Sequence, residues 1–196
     1  AAIAAISGIA WPSKTTAIHA VISGSLIHGV YLGAVFWAIR NGLPAGMSAL
    51  IVGIQPLLTA LIAGAALNER VTPRHWAGLI TGLVGIALVL SPKLGLAGQG
   101  VNAATLGASI LAVLAVSVGT IWQKRFVTGA DLRGSTAFQY LGAFLVVAPM
   151  SLLFETRQFT LTGELVFAMI WLVAILSIGA IFLLMMLIRD GAVSKV

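Results

Sequence analysis

The stretch LGLAGQGVNAATLGASILAVLAVSVGTIWQ, Leu94–Gln123, runs for thirty residues without an Asp, Glu, Lys or Arg. The hydrocarbon core of a bilayer is about 30 Å thick, and roughly 20 apolar residues of helix are needed to cross it. Comparable charge-free runs occupy residues 15–39, 41–68, 75–92, 134–154 and 165–188. Charges are confined to the short gaps between runs, so the chain reads as a polytopic membrane protein. Its function is to be sought at membrane depth.

Composition leads to the same place. With 60% hydrophobic and 8% charged residues and a mean hydropathy of +1.09, too few polar side chains exist to cover a water-soluble globule. The formal charge of +6 does not indicate nucleic acid, because the eleven basic residues are scattered through the gaps rather than gathered on one face. With no cysteine, disulfides, Cys-ligated zinc and a thiol nucleophile are excluded. The sequence contains no HExxH, no GxSxG, no P-loop and no His/Asp/Glu set at metal-ligand spacing. The expectation is a non-enzyme without cofactor or metal, driven by gradients rather than by ATP.

Helices placed inside the charge-free runs give six full spans, near 16–39, 44–66, 74–91, 104–123, 135–154 and 166–188. Residues 1–10 (AAIAAISGIA) are too short to span and read as the end of another helix. On this reading the chain is an internal fragment of a larger, transporter-sized protein. Turn residues mark the gaps, notably Asn41-Gly42-Leu43-Pro44, Thr72-Pro73 and Gly95 to Gly100. None of the gaps exceeds about a dozen residues, which leaves no room for an extramembrane catalytic domain.

Alternating the loops between the two membrane faces puts Lys14, Arg70, Arg74, Lys124, Arg125, Arg133, Arg189 and Lys195 on one side, and Arg40, Lys93 and Arg157 on the other. The richer side is expected to be cytoplasmic. Ile39-Arg40-Asn41-Gly42, closing the first span, is echoed 149 residues later by Ile188-Arg189-Asp190-Gly191, closing the sixth. Matching helices separated by an odd number of crossings point to an inverted repeat.

The residues also resemble a known family, the EamA-like branch of the drug/metabolite transporter superfamily. The likeness rests on Ala38-Ile39-Arg40-Asn41-Gly42-Leu43-Pro44-Ala45-Gly46, Gln55-Pro56-Leu57-Leu58-Thr59-Ala60, Leu67-Asn68-Glu69-Arg70-Val71-Thr72, Trp76 with the glycine-rich Gly78 to Ile86, and Gly119 to Phe126. It implies an all-α bundle of ten helices in two inverted five-helix repeats, both termini cytoplasmic. Residues 1–92 would then be the end of helix 2 and helices 3–5 of the first repeat; residues 93–196 would be helices 6–8 of the second, with helices 1, 9 and 10 lying outside the chain. It further implies export of small metabolites, amino acids or drugs across a bacterial inner membrane by alternating access. The expected partners are the lipid bilayer and a small-molecule substrate, with no nucleic acid; a homodimer is left open. The competing reading is a membrane scaffold or sensory subunit that moves nothing.

Within the spans, His28 sits at mid-membrane, either as a proton carrier or as a neutral histidine held by a neighbouring helix. The repeat offset places Ser177 in the matching position. His19, about half a turn out of phase with His28, is not expected to share its site. Pro56 removes a backbone hydrogen bond and leaves the Val52 carbonyl without its usual donor. In lipid, such a break persists only where it faces protein or a wet cavity. Gln55 and Thr59 flank it on one face and, with Ser117, complete the expected substrate and proton pathway. Trp122 and Tyr140 are candidate gating aromatics. Glu69 and Arg70, with Arg74, read as a salt-bridged helix start. Gly29 with Gly33, and Gly78 with Gly82, have the spacing of close helix packing. No intramembrane Lys, Arg, Asp or Glu is evident in the spans, which points to neutral or zwitterionic cargo.

Overall fold

The computed structural model describes residues 11–67, 72–90, 101–127, 129, 131–156 and 160–179. Every regular element among them is a helix. The first span runs through α1 (Lys14–Gly24), a π-helical segment (Ser25–Val30) and α2 (Tyr31–Arg40). The second comprises α3 (Ala45–Val52) and α4 (Gln55–Leu67), interrupted at Gly53-Ile54. Then come α5 (Pro73–Leu90), α6 (Ala103–Phe126), α7 (Leu132–Phe154) and α8 (Gly163–Ile170), the last continued by a second π-helical segment (Trp171–Gly179). Four spans, Lys14–Arg40, Ala45–Ala66, Ala103–Phe126 and Gly134–Phe154, are long and apolar enough to cross a bilayer. The protein is an all-α polytopic membrane protein. The segment 1–10, Glu69 and Arg70, the gap 91–100 and the Ile188–Gly191 half of the echo lie outside the described residues.

The element ends follow from local chemistry. Ser13 and Thr162 accept from the backbone N–H three residues on, and Asn102 with Thr105 forms a reciprocal capping box that starts α6. The first span stops where Gly42 takes a positive φ of 96°. There the Gly42 N–H donates to Ile39 O and the Leu43 N–H to Ala38 O, each at 3.0 Å, which satisfies the orphan carbonyls of the helix end. Leu43 is thereby tucked in with Ala38 and Met47, against Val101, Leu106 and Ala108.

Residues 1–155 and 156–196 form two compact units. In the first, contacts fix the direction of each span. His19 meets Phe126 and Trp122, and Gly119 lies against Ile27 and Leu26, so the first span and α6 are antiparallel. Gly24 abuts Gln139, Gly29 abuts Val146 and Arg40 reaches Glu155, so the first span and α7 are parallel. Arg125 reaches the carbonyl of Ala66 at one end, while Met47 packs with Leu106 at the other, so the second span and α6 are parallel. The chain between two parallel spans must return across the membrane, and α5 is the described helix that can carry it. Its 18 residues reach about 27 Å at a 1.5 Å rise per residue. The relative directions of the first, second, fourth and fifth expected spans are those that the alternation requires.

The interior is inside-out relative to a soluble bundle. Apart from Leu43, its most deeply buried residues are small or polar, among them Ala20, Ser23, Ala38, Ser48, Ser109, Ala112 and Ser117, each 1% exposed or less. Phe144, Leu145, Leu152 and Leu153 face outward. Lipid tails supply no reason to bury Leu, so helices associate through small residues that let backbones approach. Gly29 is used in this way, but an added Cβ on Gly33, Gly78 or Gly82 would meet nothing within 4 Å. The tightest approaches are instead made by Gly24 and Gly142, between α1 and α7.

The two π-helical segments were not expected. Ser25–Val30 closes with the Tyr31 N–H donating to Leu26 O. Shifted by the 149-residue offset of the sequence echo, it falls within Trp171–Gly179. Both midplane candidates, His28 and Ser177, thus sit on π-helical backbone, which is rare and frequent at functional sites.

Candidate transport site

Pro56 has no N–H for the Val52 carbonyl, and the structure responds by breaking the second span. The ladder shifts from the Gly53 N–H donating to Ala49 O to the shorter reach of Ile54 N–H to Ile51 O and Leu57 N–H to Ile54 O. A recess of about 380 Å³ opens against this break. Gln55, Pro56 and Thr59 line one wall, with Ala60 and Ala63 between; Thr120, Ile121 and Lys124 of α6 line the other. Its volume lies at the low end of the ~300–1,000 Å³ typical of ligand pockets.

The polar groups of the recess come in helical steps. Gln55, Thr59 and Ala63 are successive i, i+4 positions on α4, and Thr120 and Lys124 are one such step on α6. The Thr120 hydroxyl is turned back onto its own helix, donating to Val116 O at 2.7 Å. The Thr59 hydroxyl oxygen is buried and has no hydrogen-bond partner among the described residues. A buried hydroxyl without a partner is expensive in a dry setting, and this one belongs to a residue of the recess wall. A smaller cleft of about 160 Å³ lies on the other side of Pro56, between Gly53, Ile54, Leu57 and the Gly78 to Leu83 face of α5. Gly78 and Gly82 keep that cleft open rather than closing a helix contact.

His28 is not in this recess. Its ring stacks on Tyr140 of α7, with centroids 5.2 Å apart and planes 25° from parallel. Its side chain is hydrogen-bonded with that of Gln139. Beside this contact Ser25 donates to Gly142 O at 3.0 Å. Tyr140 lies well inside α7 rather than at a span end, half exposed, as the outer cover of the His28 ring.

His19 belongs to a separate cluster, as its phase indicates, stacked on Phe126 at 4.6 Å and tilted against Trp122 at 5.7 Å. His19 Nδ1 and Trp122 Nε1 are both buried without partners among the described residues. Trp122 is thus packed with the ring cluster and does not meet Tyr140. Ser117 is fully buried in α6 with an unpartnered hydroxyl, outside the recess lining. The backbone at Ser177 is described; its side chain, like Glu69 and Arg70, is outside the described set. Lys124 and Thr120 were missed by the sequence reading, which counted Lys124 only as a loop charge. Their i, i+4 spacing at the end of a long apolar run was the available signal.

Comparison with known proteins agrees with this architecture. The model of the EamA-like transporter family matches residues 1–91. Protein PecM of Dickeya dadantii (strain 3937) is 31% identical over 137 residues, 68% of this chain and 44% of that protein. The chain belongs to the EamA-like transporter family. A probable amino-acid metabolite efflux pump of Salmonella typhimurium (strain LT2) is 21% identical over 117 residues, 60% of this chain and 38% of that protein. The EamA-like chain thus spans less than half the length of the curated relatives it matches. No solved structure matches.

Proposed function

We propose that the protein is a secondary active transporter that exports small metabolites, amino acids or related solutes, across a bacterial inner membrane by alternating access. The observation that carries this reading is the broken second span, whose Gln55, Pro56 and Thr59 face a recess with Thr120 and Lys124. Interrupted helices that line a cavity are where transporters hold their cargo. The family membership supports transport, and the printed name of the Salmonella relative supports amino-acid-like cargo.

In this proposal residues 1–92 and 93–196 belong to two inverted repeats, a division supported by π-helical segments at matching positions. The face bearing Lys14, Lys124 and Arg125 is cytoplasmic. His28, set in a π-helical turn and covered by Tyr140, is proposed as the coupling residue, taking and releasing a proton as the contact with α7 changes. The test is efflux from liposomes holding the full-length protein, loaded with an amino-acid mixture and placed in a pH gradient. Faster release than from protein-free liposomes, slowed by Thr59→Val, supports the reading. Release no faster than the blank for every solute overturns it in favour of a scaffold.

A further inference from the structure

We propose that the break in the second span and the inner end of the recess together form a site for a compact monovalent cation, held by the neutral oxygens of Val52, Gln55, Thr59 and Ser117. The inference rests on the transport reading and adds to it the charged group that the site takes. Two groups share this chemistry, the primary ammonium of a solute and an alkali-metal ion.

The first observation is the interruption itself. Helix α3 ends at Val52, inside the second span, so the negative end of its dipole stands at membrane depth rather than in water. Pro56 leaves the Val52 carbonyl without its usual donor. A helix carbonyl points toward the C-terminal end of its helix, so this oxygen is directed toward the level of Gln55 and Pro56. Val52, Gln55, Thr59 and Ala63 follow one another by three or four residues and share about one face of the span, and the last three line the recess. Freed carbonyls and helix C-terminal ends at an interrupted span are suited to cations.

The second observation comes from α6. Leu106 packs on the Met47 cluster at one end and Arg125 reaches Ala66 O at the other, an offset of 59 residues at each. Ser117 is therefore level with Leu58 and about 1.5 Å in height from Thr59. It lies about 200° around the helix from Gly119, which abuts the first span. It is angularly between Thr120 and Ile121, which line the recess one turn further on. Ser117 is fully buried, and its hydroxyl, like that of Thr59, has no partner among the described residues.

Two unpartnered hydroxyls thus stand at one depth on adjoining helices, next to the Gln55 amide and the open Val52 carbonyl. Oxygen ligands suit a hard cation, and an ammonium has three N–H donors to offer them. Divalent ions are bound through carboxylates, which this set of four does not contain. Lys124 is no member of the set: it stands roughly 9 Å nearer the cytoplasmic end than Thr59, is exposed, and takes part in an interaction of its own.

The experiment uses the full-length protein in phosphatidylcholine vesicles. Thermal unfolding midpoints are compared in sodium chloride and in choline chloride of equal ionic strength. In choline chloride they are compared again with L-leucine and with 4-methylpentanoate, which lacks only the ammonium. Efflux is measured separately. The midpoint is expected to rise with sodium or with leucine, and not with 4-methylpentanoate. A response to leucine alone assigns the site to the ammonium of the solute, and a response to sodium alone assigns it to the alkali ion. Ser117→Ala and Thr59→Val should each weaken that response by roughly tenfold or more, the scale of a lost hydrogen bond to a charged group. Neither deletes a hydroxyl with a partner among the described residues, so neither should lower the midpoint without ligand. Ser48→Ala, which removes another buried and unpartnered hydroxyl near the opposite end of the span, should leave the response as in wild type. Cation-dependent stabilisation without efflux supports the site and sinks the transport reading. No cation-dependent shift, or one of equal size in wild type, Ser117→Ala and Thr59→Val, overturns the site, and efflux from the same vesicles would leave transport standing.

Discussion

Gly24 lies so close to the backbone of Gln139 that a Cβ on it would overlap the Gln139 carbonyl. Gly142 does the same in reverse, against the Val21 carbonyl. The neighbours are backbone atoms, which cannot swing aside as a side-chain tip would, so α1 and α7 must separate if either glycine is enlarged. Gly24→Ala and Gly142→Ala are each expected to destabilise by about 1–3 kcal/mol or more, read as earlier unfolding in a detergent titration. Gly33→Ala, at a site with nothing within 4 Å, should behave as wild type. Equal effects at all three positions would mean that α1 and α7 do not meet through glycine.

This contact also bounds what the sequence could reveal. Spans and turns were legible because charge avoidance and helix caps are local: the expected span 16–39 became Lys14–Arg40 and the expected 135–154 became Leu132–Phe154. Which glycines pack was not legible, since Gly29/Gly33 and Gly78/Gly82 share one spacing and only Gly29 meets a neighbour. Spacing gives a face; the partner's position is a tertiary fact. The recess shows the same division. Pro56 announced the break through its own missing donor, and Gln55 and Thr59 followed by helical phase. Lys124 came from another helix and was hidden by its proximity to a loop. The π-helical turn under His28 had no sequence signal that we can name.

Pro56 separates function from stability. Pro56→Ala restores a donor for the Val52 carbonyl and allows the second span to run continuously. One net hydrogen bond is worth about 1 kcal/mol, so the variant is expected to unfold later than wild type. Its transport should fall, because the recess depends on the break. A variant that is more stable and still fully active would show that the interruption at Gly53-Ile54 has no part in cargo movement.

His28 can be tested apart from its packing. His28→Gln keeps a hydrogen-bonding group facing Gln139 and removes the titratable ring, while Tyr140→Phe keeps the stacked partner and removes a hydroxyl. Among the described residues, the contact shared by His28 and Tyr140 consists of Gln139 and the Ser25–Gly142 bond, with no acidic or basic side chain. Titration there would therefore be that of His28 itself. The expected outcome is a transport rate that loses its pH dependence in His28→Gln and keeps it in Tyr140→Phe. Unchanged pH profiles in both would make His28 a packing residue whose role is the hydrogen bond to Gln139.

Thr59 offers the sharpest contrast between a structural and a functional hydroxyl. Were the group structural, it would bond back to a carbonyl of its own helix, as Thr81 does to Ala77 O at 2.8 Å and Thr120 to Val116 O at 2.7 Å. It has no such partner among the described residues. Thr59→Val preserves the shape and deletes the buried oxygen, so the empty protein should be as stable as wild type or more stable, by up to about 1 kcal/mol. Cargo binding should weaken at the same time, because a solute loses its partner on the α4 wall. Thr59→Ser, which keeps the oxygen, should bind like wild type. A fall in the stability of the empty Thr59→Val protein would place the hydroxyl among the groups that hold the fold, and the recess would then need a different polar contact for its guest.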